Sequence, residues 1–167
     1  KQDIKIISGS EFYFVDGTKI VLLAENLEAY KKISTLITKS RRRSNKGDYE
    51  ISRSDLDDFD SGILIWLPNY NETDLSCASW LSGKFLGRAW IGVGLFYSGL
   101  DQSRLKWAYR LSGNYGLRMT AAGDVRMHSH SRRSLLDVLT AIRLSVQIEE
   151  VGTRLFSNGE HYLRPVK

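Results

Sequence analysis

The spacing between hydrophobic residues changes along the chain, and each spacing predicts a different secondary-structure element. Two short β-like stretches, Glu11–Phe14 and Thr18–Ala24, flank the turn-forming pair Asp16-Gly17 and predict a hairpin. Apolar residues then recur at helical spacing from Leu27 to Ile37, behind an Asn26 that can cap a helix. We therefore expect a hairpin followed by an amphipathic helix, with one earlier short strand at Ile4, Ile6 and Ile7.

From Gly62 onward, continuous apolar runs alternate with helical stretches. Strands are predicted at Gly62–Leu67, Ala89–Tyr97 and Leu117–Ala122, helices at Asn71–Leu81, Ser103–Asn114 (capped by Asp101) and Leu135–Leu144, and an irregular tail from Glu149 to Lys167. This alternation predicts βα units with parallel strands, and unbroken apolar strands are typical of a sheet covered on both faces. The expected fold class is α/β, in a single domain spanning residues 1–167.

Composition agrees with one ordinary domain that has a substantial core. The chain has 167 residues, 42% of them hydrophobic, and includes four Trp, eight Tyr and six Phe. No secretory signal or membrane-length apolar run is present, and the lone Cys77 is expected to be a buried, inert thiol in a reducing cytoplasm. Because the chain starts with Lys1, we interpret it as a piece of a longer protein or a processed product.

The net charge of +5 favours a polyanionic partner only weakly, so the distribution of charge matters more. One basic cluster contains Arg41, Arg42 and Arg43 with Lys39 and Lys46, and a second contains Arg126, His128, His130, Arg132 and Arg133. Each cluster can contact phosphate or can simply be a solvated loop or helix end. For the first cluster, cations at the negative end of a helix dipole are a sufficient structural explanation.

The candidate metal ligands are Glu11, Asp124, His128 and His130. Two carboxylates at neighbouring strand ends suit a hard or borderline metal, and His-x-His is a known ligand spacing on a strand. A basic loop disfavours a dication, so surface histidines and a pairing of Asp124 with Arg126 are the alternatives. The sequence contains no Walker, G-x-S-x-G or C-x-x-C motif, which argues against the enzyme classes that depend on them.

Three blocks carry a family resemblance. They are Ser8-Gly9-Ser10-Glu11-Phe12, Leu23-Ala24-Glu25-Asn26-Leu27-Glu28-Ala29-Tyr30 with the Arg41–Arg43 run, and the long block from Ala121-Ala122-Gly123-Asp124 to Tyr162-Leu163-Arg164-Pro165. With these blocks the chain resembles the PHP (polymerase and histidinol phosphatase) domain of bacterial family C DNA polymerases, most of all the error-prone, damage-associated α-subunit type. The resemblance covers nearly the whole chain.

The resemblance implies a partial, distorted (β/α)7 PHP-type barrel with parallel strands, of which this chain is the C-terminal portion. The opening strand of that barrel, which bears an H-x-H pair, and the polymerase palm with its catalytic aspartates would lie outside the chain. A barrel that lacks its opening strands exposes sheet edges, through which the piece is expected to self-associate.

The resemblance also implies a degraded metal site. Glu11 and Asp124 match family ligand positions, whereas Arg126 stands where a D-x-H pair has its His. Val93-Gly94-Leu95-Phe96 replaces a V-E-L-H pattern and has lost both polar groups. We therefore expect no catalytic residue in this chain, a guanidinium in the electrostatic place of a metal, and at most a Zn, Mn or Mg ion in what remains of the site.

The leading hypothesis is part of a cytoplasmic error-prone DNA-directed DNA polymerase that acts in damage-associated synthesis, with DNA and accessory damage-response proteins as partners. Its own role would be structural or DNA-supporting, with Arg41, Arg42, Arg43, Arg132 and Arg133 as phosphate contacts and His128 and His130 as metal or phosphate contacts. The alternatives are a stand-alone metal-dependent phosphoesterase of the PHP type and a non-enzymatic nucleic-acid-binding module.

Overall fold

The computed structural model describes residues 6–165 and shows a mixed α/β fold. Its elements are β1 (Gly9–Tyr13), β2 (Lys19–Leu23), α1 (Leu27–Arg42), β3 (Ile63–Leu67), α2 (Thr73–Phe85), β4 (Ala89–Val93), α3 (Asp101–Tyr115), β5 (Arg118–Ala121), α4 (Arg133–Leu144) and α5 (Ile148–Val151). The chain divides into two compact units, Lys1–Gly92 with Trp107–Thr120, and Val93–Lys106 with Ala121–Lys167.

A five-stranded open sheet in the order β1-β2-β3-β4-β5 organises the first unit. The β1–β2 and β2–β3 pairs are antiparallel, and β3 pairs with β4 in parallel across α2. The predicted α/β class, the hairpin and the βα unit are thus confirmed. The hairpin turns at Asp16 and Gly17 (φ 82°), as predicted. The barrel of parallel strands that the resemblance implies is wrong for β2 and β3, which pair antiparallel. The described strands form no closed barrel, and β1 and β5 are the edges of the sheet.

The two faces of the sheet differ in burial. On one face Ile20, Leu22, Leu64, Trp66 and Ile91 are fully buried. On the other face Val21 lies opposite Ile65, and Ile65 opposite Trp90, and all three are only half-buried. The expectation of a sheet covered on both faces is therefore wrong for the described residues. On the second face the apolar side chains Val21, Ile65 and Trp90 adjoin the ion pair of Glu11 and Lys19.

Several boundaries follow from local chemistry. Helix α1 begins after Asn26 as predicted, because the Asn26 side-chain oxygen accepts a hydrogen bond from the Ala29 amide at 2.9 Å. Strand β4 ends at Val93 and not at Tyr97, whose φ of 51° is incompatible with a strand. The predicted buried strand before Asp124 is the half-exposed edge strand β5. Ile6 and Ile7 are exposed and form no strand, and Ile4 lies outside the described residues.

The second unit contains α4, the four-residue helix α5 and a tail that was predicted to be irregular. The tail is tied back by a parallel bridge between Met127 and Tyr162, and the Leu163 amide donates to the Met127 carbonyl at 2.9 Å. Met127 and His161 are both buried by this arrangement. Within residues 6–165, no helix combines the length and apolarity that crossing a membrane requires.

Candidate functional site

The loop after β3 is held by one buried carboxylate. Asp74 is 1% exposed and accepts hydrogen bonds from the amides of Asn69, Tyr70 and Asn71 at 3.0, 2.7 and 3.3 Å. The indole nitrogen of Trp107 donates to the same carboxylate at 2.9 Å. Tyr70 has a left-handed φ of 62°, which the carboxylate stabilises by holding its amide. Asp74 is therefore a structural acceptor whose oxygens already have donors.

The loop after β4 repeats this device. Asp101, at the start of α3, accepts hydrogen bonds from the amides of Phe96 and Tyr97 at 3.3 and 2.8 Å and from the Ser98 hydroxyl at 3.1 Å. Tyr97 is again left-handed. Burial opposes ionisation of Asp101, but the backbone donors outweigh it and lower the pKa of this carboxyl below its ordinary value. This carboxylate, too, is committed to its own backbone.

The loop after β5 carries the third carboxylate, and it is paired with cationic or ionisable groups. A guanidinium nitrogen of Arg126 lies 2.6 Å from Asp124 Oδ1, and His161 Nδ1 lies 3.4 Å from Asp124 Oδ2. Asp124 has a positive φ of 39°, a conformation that Asp tolerates better than most residues. The Arg126 amide also donates to the His161 carbonyl at 2.8 Å, so backbone and side chains join the same two segments.

Aromatic packing surrounds this cluster. The His161 ring is stacked on Phe96 with centroids 4.2 Å apart and contacts Phe156 at 4.1 Å. The resemblance implies a His at the position of Phe96 and a Glu at that of Gly94. A Cβ on Gly94 would lie 2.9 Å from the Ala122 carbonyl oxygen and would clash with Phe96. The substituted positions are therefore repacked, and a side chain at Gly94 would require rearrangement.

Sequence reasoning missed His161, because the tail was treated as irregular. Its only sequence signal is weak: a single His between polar and apolar residues, in the block that carries the resemblance. The structure gives it a role, since it is 8% exposed and lies against Asp124 and two aromatic rings.

The predicted histidine ligands do not converge. Both His128 and His130 are exposed, and His130 packs edge-on against Tyr162 at 5.7 Å and close to Gly159. Glu11 lies on β1 in the first unit and pairs with Lys19 at 3.3 Å. Among residues 6–165, no group of three or more His, Cys, Asp or Glu side chains is arranged to hold a metal ion. With a guanidinium on Asp124, this donor set does not fit the metal centre that the resemblance implies.

The two basic clusters separate into paired and unpaired members. Arg43 pairs with Asp55. Arg133 donates from Nε to both oxygens of Asp137, at 2.8 and 2.9 Å, and also to the Phe156 carbonyl. Arg41, Arg42 and Arg132 are exposed, and within the described range none of them forms an ion pair. Among the described arginines of the two clusters, these three have guanidinium groups without an ion-pair partner and so available for a phosphate.

Comparison with known proteins gives a consistent result. No family model matches the chain. The chain is 40% identical over 167 residues to the error-prone DNA polymerase of Pseudomonas syringae and 44% identical over 165 residues to that of Methylococcus capsulatus, in both cases over 98% of the chain. It is 41% identical to the error-prone DNA polymerase of Pseudomonas aeruginosa over its whole length. The chain spans only 16% of the length of each of these curated relatives.

Proposed function

We propose that this chain, which is related to the error-prone DNA polymerases, is part of such a polymerase and acts in damage-associated DNA synthesis. The observation that carries the proposal is 40–44% identity over nearly the whole chain to proteins of that name. Because the matched region is 16% of each relative, nucleotide transfer is assigned to the complete polypeptide and to residues outside this chain. The cytoplasm is the expected location and DNA the expected partner.

We further propose that this piece is a PHP-type region, as the resemblance implies. Its sheet is open and leaves one apolar face half-buried, with Val21, Ile65 and Trp90 side by side. Apolar sheet faces are normally covered by another layer or by closure of the sheet. We propose that strands from elsewhere in the polypeptide close this face and complete the PHP-type barrel.

Within that region, the proposed role is structural. Asp74 and Asp101 hold their own loops, and Asp124 is paired with Arg126. A guanidinium supplies positive charge beside the carboxylate without a metal, so the loop keeps its electrostatic balance. The site is proposed to position the polymerase fold, and no hydrolytic step is assigned to it.

The direct test is primer extension by the complete polypeptide encoded by the parent gene. With Mg²⁺ and deoxynucleotides it is expected to extend a primer on an undamaged template and past an abasic site. A chain carrying Asp74→Ala should lose extension through misfolding of this region, while Ser79→Ala, an exposed change on the same helix α2, should not. Absence of extension by soluble wild-type polypeptide would contradict the proposal.

The same preparation also tests the alternative that this region is a metal-dependent phosphoesterase. Hydrolysis of p-nitrophenyl phosphate is measured with added Mn²⁺ or Zn²⁺, and we expect no activity above background from this region. Metal-dependent hydrolysis that disappears in Asp124→Asn would instead favour a phosphoesterase.

A DNA-supporting role is proposed for the unpaired cations. Arg41 and Arg42 sit in the exposed last turn of α1, next to Arg43, which is already neutralised by Asp55. Arg41→Gln with Arg42→Gln is expected to reduce the slope of log affinity against log salt by roughly 2, about 1 per phosphate contact. Arg43→Gln removes the same kind of charge from a paired residue and is the matched control. An unchanged slope in the double variant would remove these residues from the DNA interface.

A further inference from the structure

Helix α4 carries an uncovered apolar stripe. Leu135, Val138, Leu139 and Ile142 are 49, 43, 53 and 67% exposed. Their spacing of three and four residues places all four on one side of the helix. Scattered exposed apolar residues are common, but a continuous row of four on one helix face marks an interaction surface.

The stripe is not a consequence of a loosely held helix. On the other side of α4, Thr140 and Ala141 are buried, and Arg133 joins Asp137 and the Phe156 carbonyl at the helix start. The Ser145 amide donates to the Ile142 carbonyl at 3.0 Å and ends the helix in a left-handed conformation. The helix is regular up to this cap and is held in its unit by the buried Thr140 and Ala141 and by the Arg133–Phe156 contact, so the stripe lies on its outer side.

The chemistry of the stripe limits its occupant. It contains no charged or hydrogen-bonding side chain, so a nucleic-acid backbone would gain nothing from it. An apolar peptide surface would bury all four side chains. The region matched by this chain is only 16% of each curated relative, so most of such a polypeptide lies outside it. A segment of the same polypeptide would be present at the stripe at a high effective concentration, whereas a second copy would have to associate from solution. The same polypeptide is therefore the favoured occupant.

We propose that the α4 stripe is the docking surface for an apolar segment of the same polymerase polypeptide that lies outside these 167 residues. The inference rests on the proposed function, and it adds the surface through which this piece is attached to the remainder of the enzyme. It predicts that the stripe is buried in the complete protein without any second molecule.

The test uses the complete polypeptide with a photo-cross-linking phenylalanine analogue at position 142, position 139 or position 134. Ser134 is exposed in the first turn of the same helix, at the polar edge of the stripe and turned away from Leu139 and Ile142, and it is the matched control. Light and isotopically heavy copies are mixed before irradiation, and the cross-linked peptides are identified by mass spectrometry. Primer extension is measured on the same preparations.

Cross-links from positions 139 and 142, but not 134, to peptides outside this region and within one isotopic copy are the expected result. Mixed light–heavy cross-links would show a second copy on the stripe and would overturn the inference. Absence of cross-links, or equal yields at all three positions, would overturn it as well. If primer extension fails while the intramolecular cross-links are present, the proposed function is rejected and the docking surface is retained. If primer extension succeeds and the intramolecular cross-links are absent, only the docking surface is rejected.

Discussion

Replacement of Arg126 tests whether a guanidinium has taken the electrostatic place of a metal. The contact to Asp124 is short, at 2.6 Å, but the side chains remain 42% and 32% exposed. Water therefore screens the pair, and we expect a coupling of about 0.5–1 kcal/mol, at the upper end for exposed pairs. Arg126→Ala should lower the free energy of unfolding by a similar amount, because solvent can rehydrate the remaining carboxylate.

The coupling is isolated by a double-mutant cycle. Asp124→Asn is the appropriate partner change, since Asn keeps the shape and tolerates the positive φ of 39°, whereas Ala at this position would add backbone strain. Each variant and the double variant are unfolded in urea, and the free energies are compared. A coupling indistinguishable from zero would refute the view that Arg126 stabilises this loop through charge.

A second variant asks whether the guanidinium also keeps a metal away. Arg126→His removes the permanent charge and brings a third potential ligand close to Asp124 and His161. Three protein ligands suffice for an open zinc site. We expect Zn²⁺ to raise the melting temperature of this variant only, with about 2.7 kcal/mol of stabilisation at a hundredfold excess over the dissociation constant. Equal stabilisation of the wild type by Zn²⁺ would refute the reasoning.

Three further predictions concern stability and reactivity. Asp74→Ala should lower the free energy of unfolding, measured by chemical denaturation, by about 3–5 kcal/mol, because it leaves three amides and the Trp107 indole without their acceptor. Asp74→Asn keeps an acceptor oxygen and should lower it clearly less. Equal losses in the two variants would contradict this account. Burial raises the pKa of the Cys77 thiol to about 12, so iodoacetamide at about pH 8 should label it only after unfolding, which mass spectrometry can follow. Burial opposes ionisation of Asp16, Asp55 and Asp101, but hydrogen bonds to the charged carboxylates outweigh it and lower their pKa values below the ordinary 3.8. These carboxylates therefore stabilise the fold fully above their ordinary pKa, and the stabilisation is lost as the pH falls through the lowered values. A melting temperature that does not fall on acidification would contradict this.

The local elements could be predicted from the sequence because their signals are local. Asp16-Gly17 specifies a turn, Asn26 specifies a helix start, and the periodicity after Leu27 specifies the buried face of α1. The capping box at Ser52 and Asp55 is an equally local signal, and it starts the short helical turn at Arg53–Leu56. Burial of Cys77 among apolar residues of α2 is confirmed as well.

The prediction failed where the answer depended on a distant partner. Apolar runs at Ile63–Leu67 and Ala89–Val93 predict a sheet covered on both faces, yet within residues 6–165 one face is half-buried. An apolar sequence indicates that a face is to be covered, but it does not say by which segment. For the same reason the approach of His161 to Asp124 could not be predicted, since they are far apart along the chain and their contact depends on the bridge from Met127 to Tyr162.

The contacts of three carboxylates are the structural argument for the proposed supporting role. In α/β folds the loops that follow the strands are where polar side chains usually meet ligands. Here Asp74 and Asp101 turn back to satisfy the amides of their own loops, each holding a left-handed Tyr four residues earlier. Asp124 is paired with Arg126, and Phe96 fills the position of the expected His by stacking on His161. Each of these three carboxylates is thus occupied by groups of its own unit, and this is the contact pattern on which the proposed structural role rests.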